Sequence, residues 1–231
     1  CIIMSNFLKQ WNEKYHRKPH ILILADKAGW AYDISARALK SHLEDRFSID
    51  IAYVHEKPNL KDYNFDLIHV CWWGETYHQP FVRGPWQVVK EISSHRWQEF
   101  GIYGPLSIKE FSKKYLSDAD TLTVTSQRLY DIISRVRPCF YAPNGFNQIF
   151  QEKCRQSGDI RIGWAGNASD SCKGLKDILL PAADGLCELY VADGSLNLQE
   201  VNDFYSSIDV LCIASTAEGE PLTLLEAMST G

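Results

Sequence analysis

Strand-length apolar runs alternate with helical patterns along almost the whole chain, and this alternation constrains the fold more than any other feature. The runs at 20–26, 48–54, 65–72, 87–92 and 121–126 are bounded by polar, Gly or Pro segments. Helical patterns lie between them: 31–45 with Ile34, Ala38 and Leu43 inward, 106–117 with Ile108, Phe111 and Tyr115, and 127–136 with Leu129, Ile132, Ile133 and Val136. After a polar stretch at 151–159 the alternation restarts, with strands expected at 160–166, 187–193 and 209–215. Helices are expected near 174–180 and over 198–208, the latter with Leu198, Val201, Phe204, Tyr205 and Ile208 on one face. Strands this continuously apolar are covered on both faces, which makes the sheets parallel. The expectation is an α/β protein of two Rossmann-like, doubly wound parallel-sheet domains facing a cleft, 1–147 and 148–231. The second domain reads as incomplete at its C-terminal end, because three strands fall short of the usual sheet of about five or six.

The 231 residues, 45% of them hydrophobic, suffice for one large core or two modest ones. A net charge of −5 with no long block of like charge argues against nucleic acid as a partner. The seven cysteines form no C-x-x-C pair, so reduced structural thiols are expected rather than a metal site. No apolar run approaches a membrane span, and a cytoplasmic location is expected.

In parallel α/β sheets ligands lie beyond the carboxyl ends of the strands, so the segments that follow the strands carry the chemical interest. After the first strand, "ADKAGWAYD" places Gly29 and Trp30 in a small-residue loop that opens a helix. It can approach a ligand closely or serve as an ordinary turn. His95 follows the strand at 87–92, where it can contact a substrate hydroxyl or act as a satisfied polar residue. His69, inside the apolar run "LIHVC", reads as a hydrogen-bonded core residue. "IGWAGNASDSCKG" sets Gly166 and Asn167 at a strand end and Lys173 at a helix start, where a lysine can hold a diphosphate as a point charge or be a surface cation. The chain closes on "EGEPLTLLEAMSTG". Pro221 suits the first turn of a helix, the N–H groups near Leu222 and Thr223 are open to an anion, and Glu218 and Glu226 stand eight positions apart. The two carboxylates can address a sugar and a ribose, or Glu226 can complement the helix dipole and Glu218 and Glu220 be solvated loop charges.

Six of these stretches, in order over nearly all of 20–231, resemble glycosyltransferase family 4. They are "DLIHV", "SSHRW", "LSDADTLTVTSQRLYDII", "YAPNGFNQIF", "IGWAGN…KG" and "EGEPLTLLEAMSTG", the last matching an E-x7-E signature. The resemblance implies the GT-B fold and a retaining transfer of a sugar from a nucleotide-diphosphate sugar to a glycan, lipid-linked or other hydroxyl acceptor, with no metal or cofactor. Such chemistry fits polysaccharide biosynthesis, in the cytoplasm or peripherally at the inner face of a membrane. By the same resemblance Glu218 and His95 would act on the transferred sugar and Glu226 would bind the donor ribose. Lys173, Thr223, Leu222, Gly166 and Asn167 would hold the diphosphate, with Gly29 and Trp30 near donor and acceptor. The chain departs from the family pattern at Asn167, where members commonly carry Arg, and at Cys71, where many have His.

Overall fold

The computed structural model describes residues 2–74, 84–99, 101–151 and 158–231. The chain forms two compact units, Cys1–Ser93 with Trp97–Ala142, and Ser94–Arg96 with Pro143–Gly231. Among the described residues no helix is long and apolar enough to cross a membrane.

The first unit is built on strands β1 (His20–Ala25), β2 (Ser48–Tyr53), β3 (Leu67–Val70), β4 (Gln87–Ile92), β5 (Thr121–Val124) and β6 (Phe140–Tyr141). They form one parallel sheet in the order β2-β1-β3-β4-β5-β6. Alternate residues of β1 enter different cores, as the two-residue period of a strand requires. Leu22 and Leu24 pack with Ile68, Val70 and Val88, whereas Ile23 and Ala25 pack with Ala36. Helix α2 (Ala31–Leu43), which carries Ala36, therefore covers one face of β1. A third core joins Trp73 and Trp97 to Phe111 and Tyr115 of α3 (Ile108–Tyr115) and to Leu129 and Ile133 of α4 (Gln127–Ile133). The indole of Trp97 stacks on Phe111 at 4.1 Å. Helix α3 starts at a capping box: the Ser107 hydroxyl accepts the Glu110 N–H, and the Glu110 carboxylate accepts the Ser107 N–H.

The inward faces expected of α3 and α4 hold, but of that expected of α2 only Leu43 packs against the core. Ile34 is 38% exposed and Ala38 is also exposed, while Asp33 and Ala36 are the buried residues. An acid occupies the buried stripe because it is fully engaged. Asp33 accepts hydrogen bonds from the Gly29 N–H (2.8 Å), the Tyr53 hydroxyl (2.7 Å) and the Arg37 guanidinium (2.9 Å). Burial works to raise its pKa, and these donors outweigh burial and hold it below the ordinary carboxylate value. Helix α1 (Ile2–Tyr15) precedes the sheet and was not expected from the sequence.

The second unit holds a parallel sheet in the order β8-β7-β9, from β7 (Ile162–Ala165), β8 (Leu189–Ala192) and β9 (Val210–Leu211). Strand β9 is much shorter than the expected 209–215. The Cys212 N–H still donates to the Gly163 carbonyl of β7 at 2.8 Å, and the backbone then turns to another partner, the Thr216 N–H donating to the Cys172 carbonyl at 2.9 Å. The helix expected near 174–180 is π-wound over Leu175–Leu179 and passes into α5 (Leu180–Ala183). Pro181, near the junction, has no N–H to give to an α-helical ladder. Helix α6 (Leu198–Ser207) starts at a second capping box, Asn197 with Glu200, and buries Tyr205. Helix α7 (Leu222–Thr230) follows Pro221.

In both sheets the first strand has neighbours on either side, so chain direction across the sheet reverses beside it. Loops at such a switch point diverge and leave a crevice at the carboxyl ends of the strands. In the first unit the loop 26–30 lies there, and in the second the loops 166–174 and 212–221.

Candidate functional site

In the second unit the loop after β7, the loop after β9 and the segment Ser94–Arg96 meet. Lys173 ends the 3-10 turn Ser171–Lys173. Gly174 follows with φ +69°, and a Cβ there would stand 2.1 Å from the Ala214 carbonyl oxygen. Glycine is thus required twice over, by the left-handed conformation and by the approach of the backbone after β9. The Cys172 thiol donates to the Ala217 carbonyl at 3.7 Å, tying the same two loops again. The indole N–H of Trp164, a buried β7 residue, reaches the Lys173 carbonyl at 3.4 Å.

This scaffold brings three of the predicted site residues into contact. The Lys173 ammonium pairs with the Glu218 carboxylate, both side chains being half-buried. His95, 7% exposed, lies 3.1 Å through Nδ1 from the Glu218 carbonyl. A carbonyl only accepts, so the proton is on Nδ1, and in the neutral ring Nε2 is the lone-pair nitrogen.

The remaining predicted residues are placed differently. Gly166 donates its N–H to the Ala192 carbonyl at 3.0 Å. Asn167 is exposed and spends its side-chain oxygen on the Ser169 N–H (3.0 Å), a local turn. Leu222 and Thr223 form the first turn of α7, which no side chain caps. Glu226 is one turn further in and accepts the Tyr205 hydroxyl at 2.9 Å. Burial raises the Glu226 pKa against the opposing effect of that hydrogen bond. Gly29 and Trp30 belong to the first unit. Gly29 has φ +80°, and Trp30 is half-exposed with the Lys27 ammonium 5.1 Å from its ring. His69 is half-buried rather than core, its Nε2 3.5 Å from Glu91.

Three residues of this site, Arg96, Asp170 and Asn144, were given no role by the sequence reading, and a fourth, Glu220, was offered only as a solvated loop charge. The Arg96 guanidinium donates to Asp170 at 2.5 Å, and Asp170 also accepts the Cys172 N–H at 3.1 Å, capping the turn that ends in Lys173. Asn144 donates its N–H to the Glu220 carboxylate (2.6 Å) and its amide to the Glu220 carbonyl (3.0 Å). Glu220 is therefore a partnered group and not a solvated loop charge. Arg96 directly follows His95, and Asn144 is the centre of "PNG", so adjacency to motif residues was the available signal. Among the described residues no three His, Cys, Asp or Glu side chains gather as a metal site.

Fold and site together define an α/β protein with two parallel sheets and a cation–carboxylate–imidazole cluster at the strand ends of the smaller one. No model of a known protein family matches the chain, and no curated protein matches it.

Proposed function

We propose that the chain is a retaining glycosyltransferase of GT-B architecture, similar to family 4, that moves a sugar from a nucleotide-diphosphate sugar to an acceptor hydroxyl. Residues 143–231 with 94–96 serve the donor, and the first unit serves the acceptor. The observation that carries this reading is the Lys173–Glu218 pair with His95 on the Glu218 carbonyl, at the carboxyl ends of parallel strands. Departure of the nucleotide builds negative charge on the diphosphate and oxocarbenium character on the sugar. Lys173 and the uncapped start of α7 favour the first charge, and Glu218 favours the second. Before the donor arrives, each member of the pair neutralises the other. A diphosphate that takes Lys173 turns Glu218 toward the sugar, while His95 keeps Nε2 for a sugar hydroxyl. No dedicated general base is assigned, because the leaving phosphate can accept the acceptor's proton.

A non-catalytic nucleotide- or glycan-binding role is the second reading, and the Tyr205 hydrogen bond on Glu226 favours it by occupying a carboxylate otherwise assigned to ribose. Turnover separates the two. The whole protein is assayed for donor hydrolysis and transfer across UDP-, GDP- and ADP-sugars beside Glu218→Ala. The enzyme reading expects turnover with one donor and a loss of about 100-fold or more in the variant. Nucleotide binding without turnover in either protein would leave the binding role.

A further inference from the structure

We propose that Arg96 is a second diphosphate-binding cation, the partner of Lys173, supplied by the segment Ser94–Arg96 and not by the loop after β7. The proposal rests on the donor site assigned above and asks how that site balances its charge. Lys173 offers one positive charge, and Glu218 already meets it. Asn167 is neutral and committed to its own turn. With Lys173 met by Glu218 and Asn167 neutral, a donor with a charge on each phosphate enters a site short of cations.

Arg96 meets the deficit in three ways. First, among the described residues its hydrogen bond runs from one terminal nitrogen to one oxygen of Asp170. A guanidinium has five N–H donors in a planar fork, so most of the fork remains for phosphate oxygens. Second, its side chain is 29% exposed and that of Asp170 24%. The group is shielded enough for its charge to count and open enough for an anion to reach. Third, its position is set relative to Lys173. Asp170 caps the 3-10 turn that Lys173 ends, and three residues of such a turn rise about 6 Å. Two cations anchored at the two ends of that turn can each take one phosphate. Asp170 is then a positioning residue that holds the guanidinium and gives up part of it when the diphosphate binds.

A purely structural pin between Arg96 and Asp170 predicts a different mutant pattern, because either partner's loss would break it. The test uses the whole protein, its Arg96→Gln variant and its Asp170→Asn variant, in which Asn can still cap the turn. Binding of UDP, GDP and ADP and of the corresponding nucleosides is followed by ligand-observed NMR and calorimetry. The expected result is that Arg96→Gln weakens the preferred nucleoside diphosphate about tenfold or more and leaves its nucleoside unaffected. Asp170→Asn is expected to bind the diphosphate as well as the wild type or better. Equal losses in both variants, or undiminished diphosphate binding by Arg96→Gln, would overturn the role of Arg96 and leave the donor site standing. A wild-type protein that binds none of the three diphosphates would overturn the donor site and this inference with it.

Discussion

Single residues of this protein hold charge where the sequence suggests apolar packing. Lys90, in the run "QVVKEI", is 1% exposed, and its ammonium donates to the Tyr115 carbonyl (2.8 Å) and pairs with Asp118 (2.7 Å). A buried lysine is tolerated only when its donors are met. Lys90→Met keeps the length and loses both the hydrogen bond to the Tyr115 carbonyl and the pair with Asp118. Urea denaturation is expected to show a loss of about 1–3 kcal/mol. A variant as stable as the wild type would mean that packing of the lysine stem is what matters there. Asp33 gives a pH-dependent case. Its folded pKa lies below the ordinary 3.8, so its stabilisation is full above that value and fades as pH falls through the depressed one. Asp33→Asn is therefore expected to be less stable than wild type at neutral pH, with the gap closing in acid. Thermal melts across that range check it, and a gap that persists in strong acid would point to shape and not charge.

Among the elements, α6 shows what a cap contributes and what a sequence pattern can reveal. Asn197 accepts the N–H groups of Gln199 and Glu200, and the Glu200 carboxylate returns to the Asn197 N–H at 2.7 Å. Asn197→Ala removes the first half of this box, and a loss of about 1 kcal/mol is expected from chemical denaturation. Helices α3 and α4 were legible because apolar residues at helical spacing are also their buried residues, whereas in α6 only Tyr205 of the expected face is buried and the polar Asn202 is buried beside it. In α2 Ile34 and Ala38 stand four apart, but Leu43, nine positions from Ile34, lies half a turn round the helix and packs with Ala36, and the helix turns Asp33 inward. Of the donors to Asp33, Gly29 and Arg37 stand four positions either side of it, but the Tyr53 hydroxyl comes from β2, twenty positions on, and no local pattern announces such a partner. Lys173, Glu218 and His95 were legible as candidates because each follows a strand. Arg96 and Asp170 were not, since a salt bridge across 74 positions exists only in the fold.

For the molecule as a whole, the two units have unequal cores. In the second, the buried apolar side chains among the described residues are Phe150, Trp164, Leu175, Ala192, Tyr205 and Ala217. Val191 of β8 and Val210 of β9 remain more than 40% exposed. The first unit buries three separate clusters over a sheet of twice as many strands. Apolar burial dominates stability, so the second unit is expected to unfold first. Trp164 is the one tryptophan in that unit and reports on it directly. Its fluorescence, isolated by comparison with Trp164→Phe, is expected to change at lower urea than the main far-UV transition. Coincident transitions would show that the two units unfold as one.

Ser94–Arg96 belongs to the second unit while the residues on either side of it belong to the first. The polypeptide therefore passes between the units at three peptide linkages, 93–94, 96–97 and 142–143, and no single cut divides it into its parts. A gene fragment beginning at residue 143 would encode the smaller sheet without the imidazole that meets the Glu218 carbonyl and the guanidinium that meets Asp170. For a lineage of such chains, the smaller unit is not a cassette that recombination can move intact. To keep the three residues Ser94–Arg96, any such fragment must also carry the chain that follows β4.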